Sequence, residues 1–131
     1  MTRVQADIVP GIQDWLAAQD LGTTVRVRTS MPANWKPTDG PLLIVADDSG
    51  PVRWPIKSQH TVRLTAYAAG RTEARRIVSL AAGKLAESKP RPAGIANISG
   101  DMSGVLDAKD KETGAMLASV LLTAHAKTVE V

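Results

Sequence analysis

The sequence predicts an α+β fold, a mostly antiparallel β-sheet with two amphipathic helices packed on one face. Three observations predict it. Two segments place apolar residues at the three-to-four spacing of a half-buried helix, and several others alternate apolar and polar residues in the period of a half-buried strand. Their order is helix, strands, helix, strands, which a layered sheet with the helices gathered on one side satisfies economically.

The first helical pattern runs from Val4 to Leu21 through Ile8, Ile12, Trp15 and Leu16. Pro10-Gly11 interrupts it, so the helix either starts at Pro10, where a missing amide is harmless, or bends there. Gly22 is its expected stop. Thr24 to Arg28 then alternates as a short strand suited to a sheet edge. Ser30 to Pro41, with prolines at 32, 37 and 41 and the Asp39-Gly40 pair, is a long irregular connection containing Trp35.

Pro41 to Ala46 is a continuous apolar run of strand length, closed by the turn signal Asp47-Asp48-Ser49-Gly50-Pro51, and reads as a buried central strand. After Val52 to Ile56, the segment His60 to Ala68 puts Val62, Leu64, Ala66 and Ala68 on one face and Thr61, Arg63, Thr65 and Tyr67 on the other. A second helix follows. Thr72 is its expected cap and Glu73 suits its first turn, while Ala74, Ile77, Val78, Ala81 and Leu85 form the apolar stripe. Gly83 within it is expected to mark a close approach to the sheet, and Lys89-Pro90-Arg91-Pro92 to end it.

The remainder reads as strands: Gly94 to Ser99, a turn at Gly100-Asp101, Met102 to Ala108, a hairpin turn from Asp110 to Gly114, and Ala115 to Thr128. In that last strand Met116, Ala118, Val120, Leu122, Ala124 and Ala126 share one face. The opposite face mixes Ser119, Thr123, His125 and Lys127 with Leu117 and Leu121, so it is only half polar.

Composition narrows the function. A chain of 131 residues is the size of one domain, here residues 1–131. With 3% aromatics and no Phe, its core must be built from Val, Ile, Leu and Ala, and neighbouring subunits would add usefully to so light a core. The absence of Cys excludes disulfides, thiolate nucleophiles and Cys-based metal sites and suits a reducing cytoplasm. The first residues lack a signal-peptide run, and no stretch is long and apolar enough to span a membrane.

No catalytic constellation stands out, and no cofactor or metal is expected. His60 and His125 lie far apart without metal-ligand spacing, and neither nucleophile-elbow nor phosphate-loop glycine patterns occur. Asp47-Asp48 at a strand end is a position for a general base, but the same residues make an ordinary turn. Trp35 and Trp54 flank the buried strand either as interface anchors or as lids over the small-residue core. Tyr67, Leu117 and Leu121 share the sheet face that a two-helix cover leaves open, a candidate subunit contact. Arg63 and the basic side of helix two, with Arg71, Arg75, Arg76 and Lys84, are candidate weak DNA-facing residues, although such a cluster is usually a solvated face.

Taken together, the chain resembles the tail terminator proteins of long-tailed bacteriophages, especially those of actinobacterial phages. The resemblance lies in Asp7-Ile8-Val9 through Trp15-Leu16, in Pro41 to Gly50, in Val62 to Ala68 leading into Arg71-Thr72-Glu73-Ala74-Arg75, and in Asp110 to Gly114 before the last strand. It implies a non-enzymatic virion protein at the tail-neck junction, assembled in the host cytoplasm as a ring, expected to be a hexamer. The implied partners are identical copies, the major tail tube protein and the head-tail connector, with DNA passing through and no membrane. A head-completion or connector-joining protein of the same neck is the second reading. A nucleic-acid-binding module using Arg63, Arg71, Arg75, Arg76 and Lys84 and a small hydrolase or isomerase using Asp47, Asp48 and His60 are the third and fourth.

Overall fold

A computed structural model describes residues 2–131 and contains two helices and a mixed, mostly antiparallel sheet. The elements in chain order are β1 (Arg3–Val4), α1 (Val9–Ala17), β2 (Arg26–Arg28), β3 (Leu42–Asp47), β4 (Val52–Arg53), β5 (Lys57–Ala68), α2 (Arg71–Ala86), β6 (Asn97–Met102), β7 (Leu106–Lys109), β8 (Met116–Lys127) and β9 (Val129–Glu130). The α+β expectation holds.

The main sheet has the order β2-β3-β5-β8-β6, with β4 alongside the start of β5 and β7 alongside the start of β8. Its spine is the antiparallel β5–β8 pair, in register from Lys57 opposite Lys127 to Ala68 opposite Met116. The β2–β3 pair is parallel, and β2 forms an edge as its alternation suggested. A separate two-stranded ribbon joins β1 to β9.

Both helices lie on one face, α1 against β2 and β3 and α2 against β5 and β8. The sheet supplies Leu43, Val45, Val62, Leu64, Ala66, Ala118, Val120, Leu122 and Ala124 to this layer, and the helices supply Ile12, Leu16, Ala74, Ile77, Val78, Ala81 and Leu85. The many sheet alanines admit a close approach of α2, whose Ile, Val and Leu side chains fill the volume. Among the described residues, no helix is long and apolar enough to cross a membrane.

Several boundaries differ from the sequence reading. Helix α1 begins at Val9 with Pro10 in its first turn, so the unbent alternative is the correct one, and Val4 belongs to the ribbon. It also ends at Ala17, leaving Gly22 in a later turn at φ +82° rather than at the helix stop. The cap of α2 is Gly70 in an extended conformation, not Thr72, which sits inside the first turn. The expected turn at Gly100-Asp101 is instead the interior of β6, where the register with β8 shifts between Ile98 and Met102. Such an irregularity accommodates turn-forming residues without reversing the chain.

Gly83 is exposed and open around its Cα, so it marks no close approach. The helical glycine in close approach is Gly11 of α1, where an added Cβ would collide with the carbonyl oxygen of Ala93. The two positions therefore respond oppositely to the same change. Gly83→Ala should raise stability by about 0.5–1 kcal/mol through helix propensity, whereas Gly11→Ala should lower it by about 1–3 kcal/mol through overpacking. Urea unfolding of the two variants checks the reversal of sign.

Candidate functional site

The face of the sheet away from the helices divides into a covered part and an open part. Alternation sends Leu42 and Ile44 of β3 and Tyr67 of β5 to this side, and Trp35 folds over them from the long connection. Its indole Nε1 donates to the Gly40 carbonyl at 3.2 Å, and its ring meets Tyr67 edge-on at 6.0 Å between centroids. Trp35 is thus buried within its own chain and serves as a lid. Burial pushes the Tyr67 phenol above its ordinary pKa; Asp110 adds to the rise and Arg63 opposes it.

Beyond the lid, Leu117 and Leu121 are only half-buried. With Leu106, Ala108, Ser119 and Arg63 they line a shallow groove across β7, β8 and β5. Leu106 is 67% exposed, a large apolar side chain left to solvent. Beneath the leucines, Thr65 and Ser119 pair directly across β5 and β8 with hydroxyls 2.9 Å apart, so the polar atoms of the groove floor are satisfied.

A second apolar surface lies elsewhere. The β4–β5 turn carries Trp54 at 66% exposure and Ile56 at 59%, and it is tied to the β1–β9 ribbon with its exposed Val4 and Val129. Trp54 Nε1 donates to the Arg3 carbonyl at 3.0 Å, and the Thr128 amide donates to the Ile56 carbonyl at 3.3 Å. Of the two tryptophans singled out in the sequence, one is therefore a lid and the other is an exposed side chain.

Four of the five basic residues expected to face DNA have partners within the chain. Arg71 Nε and Arg75 Nη1 each donate to Asp107 at 2.6 Å, Arg76 donates to the Leu21 carbonyl at 2.7 Å, and Arg63 pairs with Asp48 at 2.6 Å. Lys84 stands half-buried on α2. The hydrogen bond from Arg75 holds the Asp107 carboxyl below its ordinary range; partial desolvation opposes this and Arg71 reinforces it.

A polar cluster joins Asp47 and His60, which the sequence analysis already groups, to Ser58, which it does not single out. Asp47 Oδ2 lies 2.6 Å from His60 Nδ1, and His60 Nε2 lies 2.7 Å from Ser58 Oγ. The chain Asp47–His60–Ser58 has the connectivity of a nucleophilic triad, but Ser58 and His60 are both 0% exposed, so no substrate carbonyl reaches the hydroxyl in this conformation. Its chemistry is that of mutual satisfaction of buried polar groups. A signal was available: Ser58 and His60 continue the Val62-Leu64 face of β5, and Asp47 points to the same side through its pairing with Val62.

No protein-family model and no curated protein sequence matches the chain. The fold itself has a solved counterpart. It resembles a chain of the virion of a native gene transfer agent (GTA) particle, with a TM-score of 0.58 over 85% of this chain and 83% of that one, at 13% identity. At that identity the likeness concerns the fold.

Two outcomes follow from the site geometry. Because the folded-state pKa of Asp107 is lowered, its contribution is present above the unfolded value of 3.8 and is lost as pH falls through the folded value. Thermal melts should therefore fall as pH drops below about 4, and Asp107→Asn should flatten that limb. Asp47→Ala, which strands His60 Nδ1 without its acceptor, should cost about 1–3 kcal/mol by the same melts at neutral pH.

Proposed function

We propose that the protein is a non-enzymatic structural subunit of a phage-like virion, forming a hexameric ring that caps the completed tail tube and offers the surface for head-tail joining. The observation that carries this reading is the presence of two separate apolar surfaces on one small subunit. A closed ring needs two different, complementary patches on each copy, because every contact is head to tail. The Leu106-Leu117-Leu121 groove supplies one, and the Trp54-Ile56 turn with the β1–β9 ribbon supplies the other. The fold likeness to a chain of a gene transfer agent virion supports the setting.

The light core argues in the same direction. With 3% aromatics the subunit gains comparatively little from its own interior, and burying Leu106, Leu117 and Leu121 against a neighbour adds apolar area at about 25 cal/mol per Å². The tail tube protein and the head-tail connector are the remaining partners of such a ring, meeting its two rims.

Electron microscopy of the purified protein, alone and with tail tubes, should show annular particles, at least at tube ends. Leu117→Lys with Leu121→Lys should abolish the annuli and leave a folded monomer by sedimentation and circular dichroism. A wild-type protein that stays monomeric and never binds tube subunits would refute the ring.

A further inference from the structure

The register of the sheet assembles a cationic row that no single stretch of sequence contains. Arg53 of β4 lies directly opposite Lys57 of β5, and Lys57 lies directly opposite Lys127 of β8. Directly opposed residues of an antiparallel pair project to the same face, with Cβ atoms about 4.5–5.5 Å apart, and like charges placed so are destabilising. All three side chains are exposed, and none makes an ion pair or a side-chain hydrogen bond among the described residues. The carboxylates of Glu130 and Asp48 are committed to Arg3 and Arg63.

The next row on the same face is polar and rich in donors. Gln59 opposes His125, and His125 opposes Asn97 of β6. Arg53, Lys57, Gln59 and His125 together border a pocket beside Pro51 and Val52. Two amides, an imidazole and three cations thus converge on one side of the sheet end. Each can donate to an oxyanion, and the cations add charge that the chain itself does not offset.

We propose that this end of the open sheet face binds the phosphate groups of duplex DNA along its backbone, without reading sequence. A protein contact is less suited to the place, because interfaces are anchored by buried aromatic or aliphatic side chains and this patch is cationic and polar. The exposed Trp54 of the same turn is drawn toward β1 by its hydrogen bond to Arg3. No Trp, Tyr or Phe stands among the six residues to stack a base, and the one ring, the imidazole of His125, lies between Gln59 and Asn97 in a row of hydrogen-bonding groups, which favours the electrostatic, sequence-independent mode. The site stands whether or not the ring forms, since all its residues belong to one chain.

The test is fluorescence anisotropy of the full-length protein with a labelled duplex across a salt series. Three phosphate contacts give a log-log slope near −2.7, so affinity should fall about forty-fold between about 50 and 200 mM salt. The variant Arg53→Gln/Lys57→Gln/Lys127→Gln should lose about tenfold or more in affinity at the lower salt and most of that slope. A charge-matched control, Lys84→Gln/Lys89→Gln/Lys111→Gln, should bind as the wild type does. Because the three row residues are exposed and mutually repulsive, the first variant should melt no lower than the wild type, which separates loss of binding from loss of fold. Inorganic phosphate should compete only weakly. Equal losses in the two variants, unchanged binding in the first, saturation by micromolar inorganic phosphate with no DNA bound, or capture of polyglutamate in place of DNA would each overturn the proposal.

Discussion

The β5–β8 ladder governs everything else in this molecule. Its twelve-residue strands pair without a break, and because successive side chains alternate across a sheet, one register assigns every residue of both strands to the helix layer or to the open face. A slip of one residue would drive Lys57, Arg63 and Lys127 into the helices and expose Val62, Leu64, Val120 and Leu122. The helices enforce the observed choice: Ile77, Val78, Ala81 and Leu85 of α2 can be buried only against the apolar set.

With the register fixed, the open face has a definite chemical order along the ladder. At the Tyr67-Leu117 end Trp35 closes over the sheet, in the middle Leu121 and Leu106 border an uncovered groove, and at the far end Lys57 and Lys127 stand opposite each other. The lid stops where it does because the connection that carries Trp35 leads directly into β3, which pairs with β5 only from Val62 to Tyr67. Below that, the strand beside β5 is the short β4, whose inward contribution to this face is Arg53 rather than an apolar side chain. The exposed charge and the exposed apolar groove both come from a sheet longer than its covering elements.

Much of the fold was legible in the sequence because its signals are local. The period of two in His60 to Ala68 and Ala115 to Thr128, and the apolar stripe of Ala74 to Leu85, are properties of neighbouring residues, and they placed the central strands and α2 correctly. The first helical pattern reaches back to Val4 because Val4 falls at helical spacing from Ile8, yet Val4 pairs with Val129, a partner that no local window contains. The partners of the charged residues are equally invisible to a local window. Arg71, Arg75 and Arg76 are close in sequence and look like a basic patch, but Asp107 and the Leu21 carbonyl engage them from distant elements. Arg53, Lys57 and Lys127 look scattered and become neighbours only through two strand registers.

The far end of the ladder, where both the cationic row and the second apolar surface lie, is held by polar bonds where the helix layer gives out. Ser58 and His60 occupy core-facing positions that Val62 and Leu64 fill further along, and Asp47 closes their hydrogen-bond chain. Just past the end of β8, Arg3 donates to the Thr128 hydroxyl at 2.9 Å and pairs with Glu130 at 3.0 Å, while the Thr128 hydroxyl donates to the Pro55 carbonyl. Directional bonds of this kind fix orientation where non-directional burial would leave the β4–β5 turn free to swing. A fixed turn is what both proposed contacts require. It holds Trp54 toward β1 and keeps Arg53 in the row with Lys57, so the apolar surface and the cationic row are positioned by the same short hairpin.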